Sequence, residues 1–170
     1  MRTRWSRRAM LGGIILLSLV GTTAAGAQQP EPARSEIDAD KVIRLTPDEL
    51  AWTAGPPMLP PGARMAVIEG SFSRPGPFTV RLKFPANYQI PPHWHPVKVT
   101  VTVISGSFNM GFGDELDTGK GRRLPAGSIF EMPATIHHFG WTTEETIILE
   151  HGVGPLSVNY LTPAHGGPHR

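Results

Sequence analysis

The sequence contains no cysteine. This absence excludes a disulfide framework and a thiolate metal site, so any bound metal ion must take nitrogen and oxygen ligands. The sequence also lacks a hydrophobic run of transmembrane length. Its apolar stretch from Leu11 to Val20 is too short to cross about 30 Å of hydrocarbon. We therefore expect no membrane span in the mature protein.

Basic clusters are missing outside the N-terminus. The formal net charge is +2, but Arg2, Arg4, Arg7 and Arg8 all lie within the first eight residues. Without these four, 12 basic residues stand against 14 acidic ones, and the net charge becomes −2. No stripe of Lys and Arg interleaved with aromatic residues follows, so we do not expect nucleic-acid binding.

Residues 1–27 have the three zones of a signal peptide: a basic start, an apolar middle and a small-residue end. Ala25-Gly26-Ala27 matches the A-x-A cleavage pattern and predicts a mature start at Gln28. Arg7 and Arg8 are typical of a twin-arginine export signal, and an ordinary secretory signal is the alternative. Either route predicts a periplasmic or secreted protein.

The rest of the chain favours a single all-β domain. The 19 Gly and 18 Pro indicate frequent turns, and short segments alternate apolar and polar residues, as half-buried strands do. We predict a flexible linker at 28–40, a β-barrel at 41–163 and a loose tail at 164–170. The predicted strands are 64–69, 78–84, 97–104, 107–112, 128–132, 137–141, 146–151 and 156–161, with a helical turn at 46–50 and a polar loop at 114–123.

His93-Trp94-His95 places two imidazoles on the same face of a predicted strand, because residues two apart project in the same direction. Both rings can reach one ion. Alone, this pattern is a weak signal, since two histidines on a strand are more often incidental than ligating.

The surrounding motifs strengthen the signal. The run Pro91 to Pro96, followed eleven residues after His95 by Gly106, resembles the first motif of the cupin superfamily. The segment from Gly127 through Pro133 to His138 resembles the second motif, G-x5-P-x-G-x2-H, with Thr135 in the place of its second glycine.

This resemblance implies a double-stranded β-helix, the cupin jelly-roll barrel, with one divalent metal ion held by His93, His95 and His138. The family's usual fourth ligand is a glutamate, and its position here is occupied by Val99. Three neutral imidazoles suit Fe(II), Zn, Ni or Cu and disfavour Mn. Similarity to the three-histidine thiol and diketone dioxygenases favours Fe(II).

Two further residues are candidates for catalysis. His151 is in phase with Ile147 and Leu149, and Tyr160 is in phase with Leu156 and Val158. If those faces line the barrel interior, either side chain is available as an acid or base. The alternative for both is a structural role. Phe108, Met110 and Phe112 share one face that is expected to belong to the core or to a substrate pocket.

The resulting hypothesis is an exported, metal-dependent oxidoreductase resembling a dioxygenase. Its expected substrate is a small organic molecule that is anionic and bidentate, since the missing glutamate leaves the ion with more positive charge. Two alternatives stay open: a lyase or isomerase that uses Zn or Ni, and a cupin that binds a metal or small ligand without catalysis. The sequence leaves a homodimer open.

Overall fold

The computed structural model describes residues 42–161. The predicted signal peptide at 1–27, the linker at 28–40 and the tail at 164–170 lie outside these residues. Within the described part, no helix is long and apolar enough to cross a bilayer.

Strands dominate the described residues and confirm the all-β prediction. They are β1 (Thr53–Ala54), β2 (Arg64–Glu69), β3 (Gly76–Phe84), β4 (Gln89–Trp94), β5 (Val99–Ser105), β6 (Ser107–Phe112), β7 (Arg122–Pro125), β8 (Ile129–Met132), β9 (His138–Thr142), β10 (Thr146–Gly154) and β11 (Asn159–Tyr160). Two short 3-10 turns accompany them, at Pro47–Glu49 and Thr118–Lys120. The first turn confirms the helical turn predicted at 46–50, with the Thr46 backbone amide donating to Glu49 at 2.7 Å.

The strands form two antiparallel sheets. One has the order β1-β2-β3-β10-β5-β8, and the other has the order β11-β4-β9-β6-β7. Alternating residues of each sheet bury their side chains between the two layers, as the period of a strand requires. Phe84 of β3 and Phe108 of β6 meet across this gap, with ring centroids 6.0 Å apart.

Strand bounds match the sequence best where apolar and polar residues alternate cleanly. β2 and β6 occupy the predicted ranges, and β3 extends the predicted strand by two residues. Two predictions need correction. β7 begins at Arg122, inside the predicted loop 114–123, and only Asn159–Tyr160 of the predicted strand 156–161 is paired.

The orientation of His151 in β10 is a further correction. Thr146, Ile148 and Glu150 are buried, whereas His151 is exposed. A catalytic role of His151 required its face to be interior, and that face is the outer one. Phe112 is a second correction, because it is 60% exposed while Phe108 and Met110 are buried in the core.

Gly106 closes the tight turn between β5 and β6. Its φ is +70°, in the left-handed region that side chains disfavour. A Cβ atom here would lie 2.4 Å from the carbonyl oxygen of Glu145. Glycine is therefore required on two grounds. This turn leads the chain from β5 in one sheet to β6 in the other, where β6 pairs with β9, the strand that begins with His138.

Candidate metal centre

The three predicted histidines converge between the two sheets. His93 lies in β4 and pairs across the ladder with His138, the first residue of β9. His95 follows β4 directly, with Trp94 between the two histidines on the other face. All three histidines are buried, and the nitrogens that they offer lie within 4.8 Å of one another.

Backbone carbonyls fix the orientation of each ring. His93 Nδ1 lies 2.7 Å from the carbonyl oxygen of Pro91, and His138 Nδ1 lies 2.9 Å from that of Ile136. His95 Nδ1 lies 2.9 Å from the carbonyl oxygen of Ser157. Because a carbonyl oxygen only accepts, each Nδ1 must carry the proton and donate it. The unprotonated Nε2 atoms, which have lone pairs, are thereby left for a ligand.

Burial keeps these imidazoles uncharged. Burial, together with the neighbouring His138, lowers the pKa of His93 to about 3. Burial also lowers the pKa of His138 to about 4 and depresses the pKa of His95. At neutral pH all three rings are therefore neutral, which is the form that binds metal ions.

This donor set fits a divalent transition metal ion. Three neutral imidazole nitrogens, each with its second nitrogen hydrogen-bonded to a carbonyl, form the arrangement that metal-binding histidines usually adopt. Ions that prefer nitrogen ligands, such as Fe(II), Zn, Ni and Cu, suit it better than ions that prefer oxygen. The predicted ligands His93, His95 and His138 are thus brought together, and the identity of the metal stays open.

The histidines open into a small apolar cavity of about 60 Å³. This volume exceeds the roughly 10–15 Å³ that one water molecule needs, so the cavity has room for a small ligand. Its wall is made almost wholly of aliphatic and aromatic side chains. The lining residues are Met58, Leu59, Phe72, Leu82, Phe84, Ile90, His93, His95, Val99, Val101, Phe108, Phe130, His138, Gly140, Ile148, Glu150, Leu156 and Val158.

No family model matches the sequence, and no curated protein matches it. Solved structures do. The polyketide cyclase RemF from Streptomyces resistomycificus aligns with a TM-score of 0.53 and 14% identity, over 71% of this chain and 87% of that one. An RmlC-like cupin protein from Ralstonia eutropha aligns with a TM-score of 0.53 and 22% identity, over 68% and 70% of the two chains. The chain has the cupin fold.

Thr135 gives the turn before β9 a backbone conformation that is typical of glycine. Thr135 stands in the place of the second glycine and adopts φ = +65°, the conformation that glycine favours. Its amide donates to the carbonyl oxygen of His95 at 2.8 Å. This bond connects the segment that precedes His138 to the backbone of His95.

Val99, which the sequence motif aligns with the cupin glutamate, lines the cavity. It is 2% exposed and lies on the same face of β5 as Val101 and Val103. An aliphatic side chain therefore forms this part of the wall.

Glu150 is the residue of this cavity that the sequence analysis missed. It lies in the middle of β10, is 8% exposed and lines the cavity together with the histidines. Burial raises the pKa of Glu150 to about 7. The available signal was the charged residue directly after the apolar run Ile147-Ile148-Leu149. Because that run is apolar on both faces, it does not show which face is interior.

His151 and Tyr160 do not line this cupin cavity. His151 is exposed on the outer face of β10, so the inward orientation on which its catalytic role depended is absent. Tyr160 pairs with His93 in the ladder between β4 and β11, and its ring centroid lies 5.7 Å from that of His93. Its hydroxyl donates to the carbonyl oxygen of Met58 at 2.9 Å. Tyr160 thus connects the β11 edge to the segment that covers the cavity.

Proposed function

We propose that this protein is a metal-dependent cupin enzyme that acts on a small organic molecule. His93, His95 and His138 would hold one divalent ion, with Fe(II) favoured. The observation that carries the proposal is the set of three Nδ1–carbonyl hydrogen bonds, which leaves three neutral Nε2 atoms facing one apolar cavity. When bound, such an ion supplies Lewis acidity and, if it is iron, redox chemistry with oxygen.

An oxygen-dependent oxidoreductase is the reaction class that we favour. Support comes from the absence of a carboxylate at Val99, which leaves positions for both a bidentate substrate and a second reactant. The apolar wall supports the same conclusion, because it excludes bulk water from a reactive centre. An anionic substrate fits best, since three neutral ligands leave the positive charge of the ion uncompensated.

A lyase or isomerase that uses Zn or Ni is the second candidate. Glu150 favours this alternative, because a buried carboxyl with its pKa near neutrality can accept and return a proton. The metal found in the protein separates the two candidates. Iron at about one ion per chain supports oxygen chemistry, whereas zinc or nickel at that level supports the lyase or isomerase.

Metal analysis of full-length variants tests the centre itself. His93→Ala and His138→Ala should each lose most of the bound metal, because two imidazoles hold a divalent ion far more weakly than three. His137→Ala is the matched control: His137 adjoins His138, but it is exposed and bonds to Asp114 at 2.7 Å. It should retain the metal. Equal loss in all three variants, or a metal-free wild type, would contradict the proposed centre.

We also propose that the protein is exported through the signal peptide at 1–27. The support is its sequence pattern. Mass spectrometry of exported protein should find an N-terminus at Gln28. Replacing Arg7 and Arg8 with Lys should stop export if the route is twin-arginine and should permit it if the route is the general one. An exported protein that keeps its arginine-rich start would overturn the proposal.

A further inference from the structure

Glu150 is a buried acid placed between two apolar strands. It pairs with Val80 of β3 on one side and with Val101 of β5 on the other, and both valines are buried. Its side chain points between the sheets, into the cavity that the three histidines share. Among residues 42–161, no group hydrogen-bonds or ion-pairs with its carboxyl. A carboxyl buried without a partner is costly, and such groups commonly mark a site that acts on a ligand.

The ionisable groups of the cavity are few. Within the described residues, the lining contains Glu150 and the three histidines and no other group that titrates. The histidines are neutral, for the reasons given above. Glu150 is therefore the source of negative charge in this wall, and a cation held by the histidines would favour its ionised form.

Glu150 stands one strand away from the position of the missing cupin glutamate. Val99 pairs with Gly152, two residues along β10 from Glu150. Such diagonal neighbours on one face lie about 7–8 Å apart. The carboxyl does not belong to the group of nitrogens that lie within 4.8 Å of one another. It lines the same cavity from the other sheet, so a small ligand in the cavity can contact both the carboxyl and the histidines.

We propose that Glu150 is a second recognition point, which accepts a hydrogen bond from the hydroxyl or N–H group of a small ligand whose anionic end lies at the three-histidine centre. This inference rests on the proposed metal centre. It assigns the ligand to the class of short hydroxy or amino acids, in which an anionic end and a donor end are separated by one or two carbons. The apolar wall contacts those carbons.

Two pairs of probes test this assignment: acetate with glycolate, and propionate with 3-hydroxypropionate. Each pair differs by one hydroxyl group. The full-length protein is loaded with Co²⁺, whose visible absorption reports changes in its ligands, and each probe is titrated. A hydrogen bond to a charged group contributes about 1.5–3 kcal/mol. In at least one pair we therefore expect the hydroxyl to tighten binding about tenfold or more.

Variants assign that gain to Glu150. In Glu150→Leu the hydroxylated and plain probes should bind alike, and in Glu150→Gln the gain should fall to about two- or threefold because a neutral amide is a weaker acceptor. His151→Gln, the next residue on the outer face, is the matched control and should keep the full gain. Retained Co²⁺ binding shows that each variant is folded.

Each failure has a distinct meaning. If the wild-type protein does not bind Co²⁺, the proposed metal centre fails. If Co²⁺ binds but no probe gains from its hydroxyl, or none of the four probes binds, the role of Glu150 is wrong. A gain that persists in Glu150→Leu means that the hydroxyl contacts the metal instead, which also overturns the role.

Discussion

Single residues determine what this centre can bind. The three ring orientations depend on bonds to the carbonyls of Pro91, Ile136 and Ser157, two of which lie only two residues before the histidine that they orient. The local chain thus arranges most of the centre. The character of the opposite wall depends instead on Val99 and Glu150, which belong to the other sheet.

Val99→Glu is expected to restore a carboxylate at the cupin position. Its side chain would share the cavity with the histidines, so Mn²⁺ and Fe²⁺ should bind at least about tenfold more tightly than in the wild type. Without metal, the new carboxyl lies in an apolar wall near Glu150 and should lower the free energy of unfolding by about 2 kcal/mol or more. Metal titration and urea denaturation of the metal-free proteins measure both effects.

Val99→Gln separates the two effects. Glutamine has the same shape as glutamate and also destabilises the wall, but it brings no charge, so it should not tighten metal binding. If Val99→Glu binds no more tightly than Val99→Gln, the side chain at this position does not reach the ion.

At the scale of elements, the sequence predicts a strand well when only one of its faces is apolar. β5 alternates Val99, Val101 and Val103 with threonines, and its phase is confirmed. β10 has apolar residues in both phases, because its outer face is half-buried, so its sequence does not show which face is interior. β7 buries only Leu124, and its pairing with β6 has no signal in its own residues.

In the site, the sequence predicts the residues that lie in local motifs and not the residue that tertiary packing brings in. The three histidines lie in two local motifs whose spacing is visible in the chain, and the structure brings them together. Glu150 reaches the same cavity only through the packing of one sheet on the other. No local sequence pattern indicates that Glu150 and the histidines line the same cavity.

The turn that precedes β9 contains a residue, Thr135, whose backbone conformation is strained. Thr135 is β-branched, yet its φ is +65°. The left-handed conformation costs a side-chain-bearing residue about 1–2 kcal/mol, whereas glycine costs only about 0.4–1 kcal/mol more chain entropy. Relief of strain should win, so Thr135→Gly is expected to stabilise the protein by about 1 kcal/mol. Urea denaturation measures this gain.

Thr135→Ala is the control for that substitution, because alanine loses the hydroxyl group but keeps the Cβ atom. It should gain no stability. If both variants are less stable than the wild type, then the hydroxyl bond to the carbonyl oxygen of Ala134, at 2.7 Å, outweighs the strain.

For the whole molecule, two kinds of buried group give the metal-free protein opposite responses to pH. The pKa values of the histidines are lower in the folded state than in the unfolded state. Their contribution to stability is therefore complete above the unfolded pKa of about 6.5 and is lost as the pH falls toward 4 and 3. Glu150 has a raised pKa, so its contribution is complete below about 4.5 and is lost as the pH rises to about 7. Stability should therefore peak near pH 6.5.

Glu150→Gln removes the pH-dependent contribution of Glu150 to stability and leaves that of the histidines. The shift of Glu150 from 4.5 to about 7 corresponds to about 3 kcal/mol. The histidines of β4 and β9 are the other titrating groups of the cavity, and their effect is common to both proteins and cancels in the difference. Relative to the wild type, the variant should therefore gain about 3 kcal/mol of stability between pH 4.5 and pH 8. Urea denaturation of both metal-free proteins across this range measures the difference. A difference that does not change with pH would mean that the carboxyl of Glu150 is hydrated in solution, and its burial in the cavity would have to be abandoned.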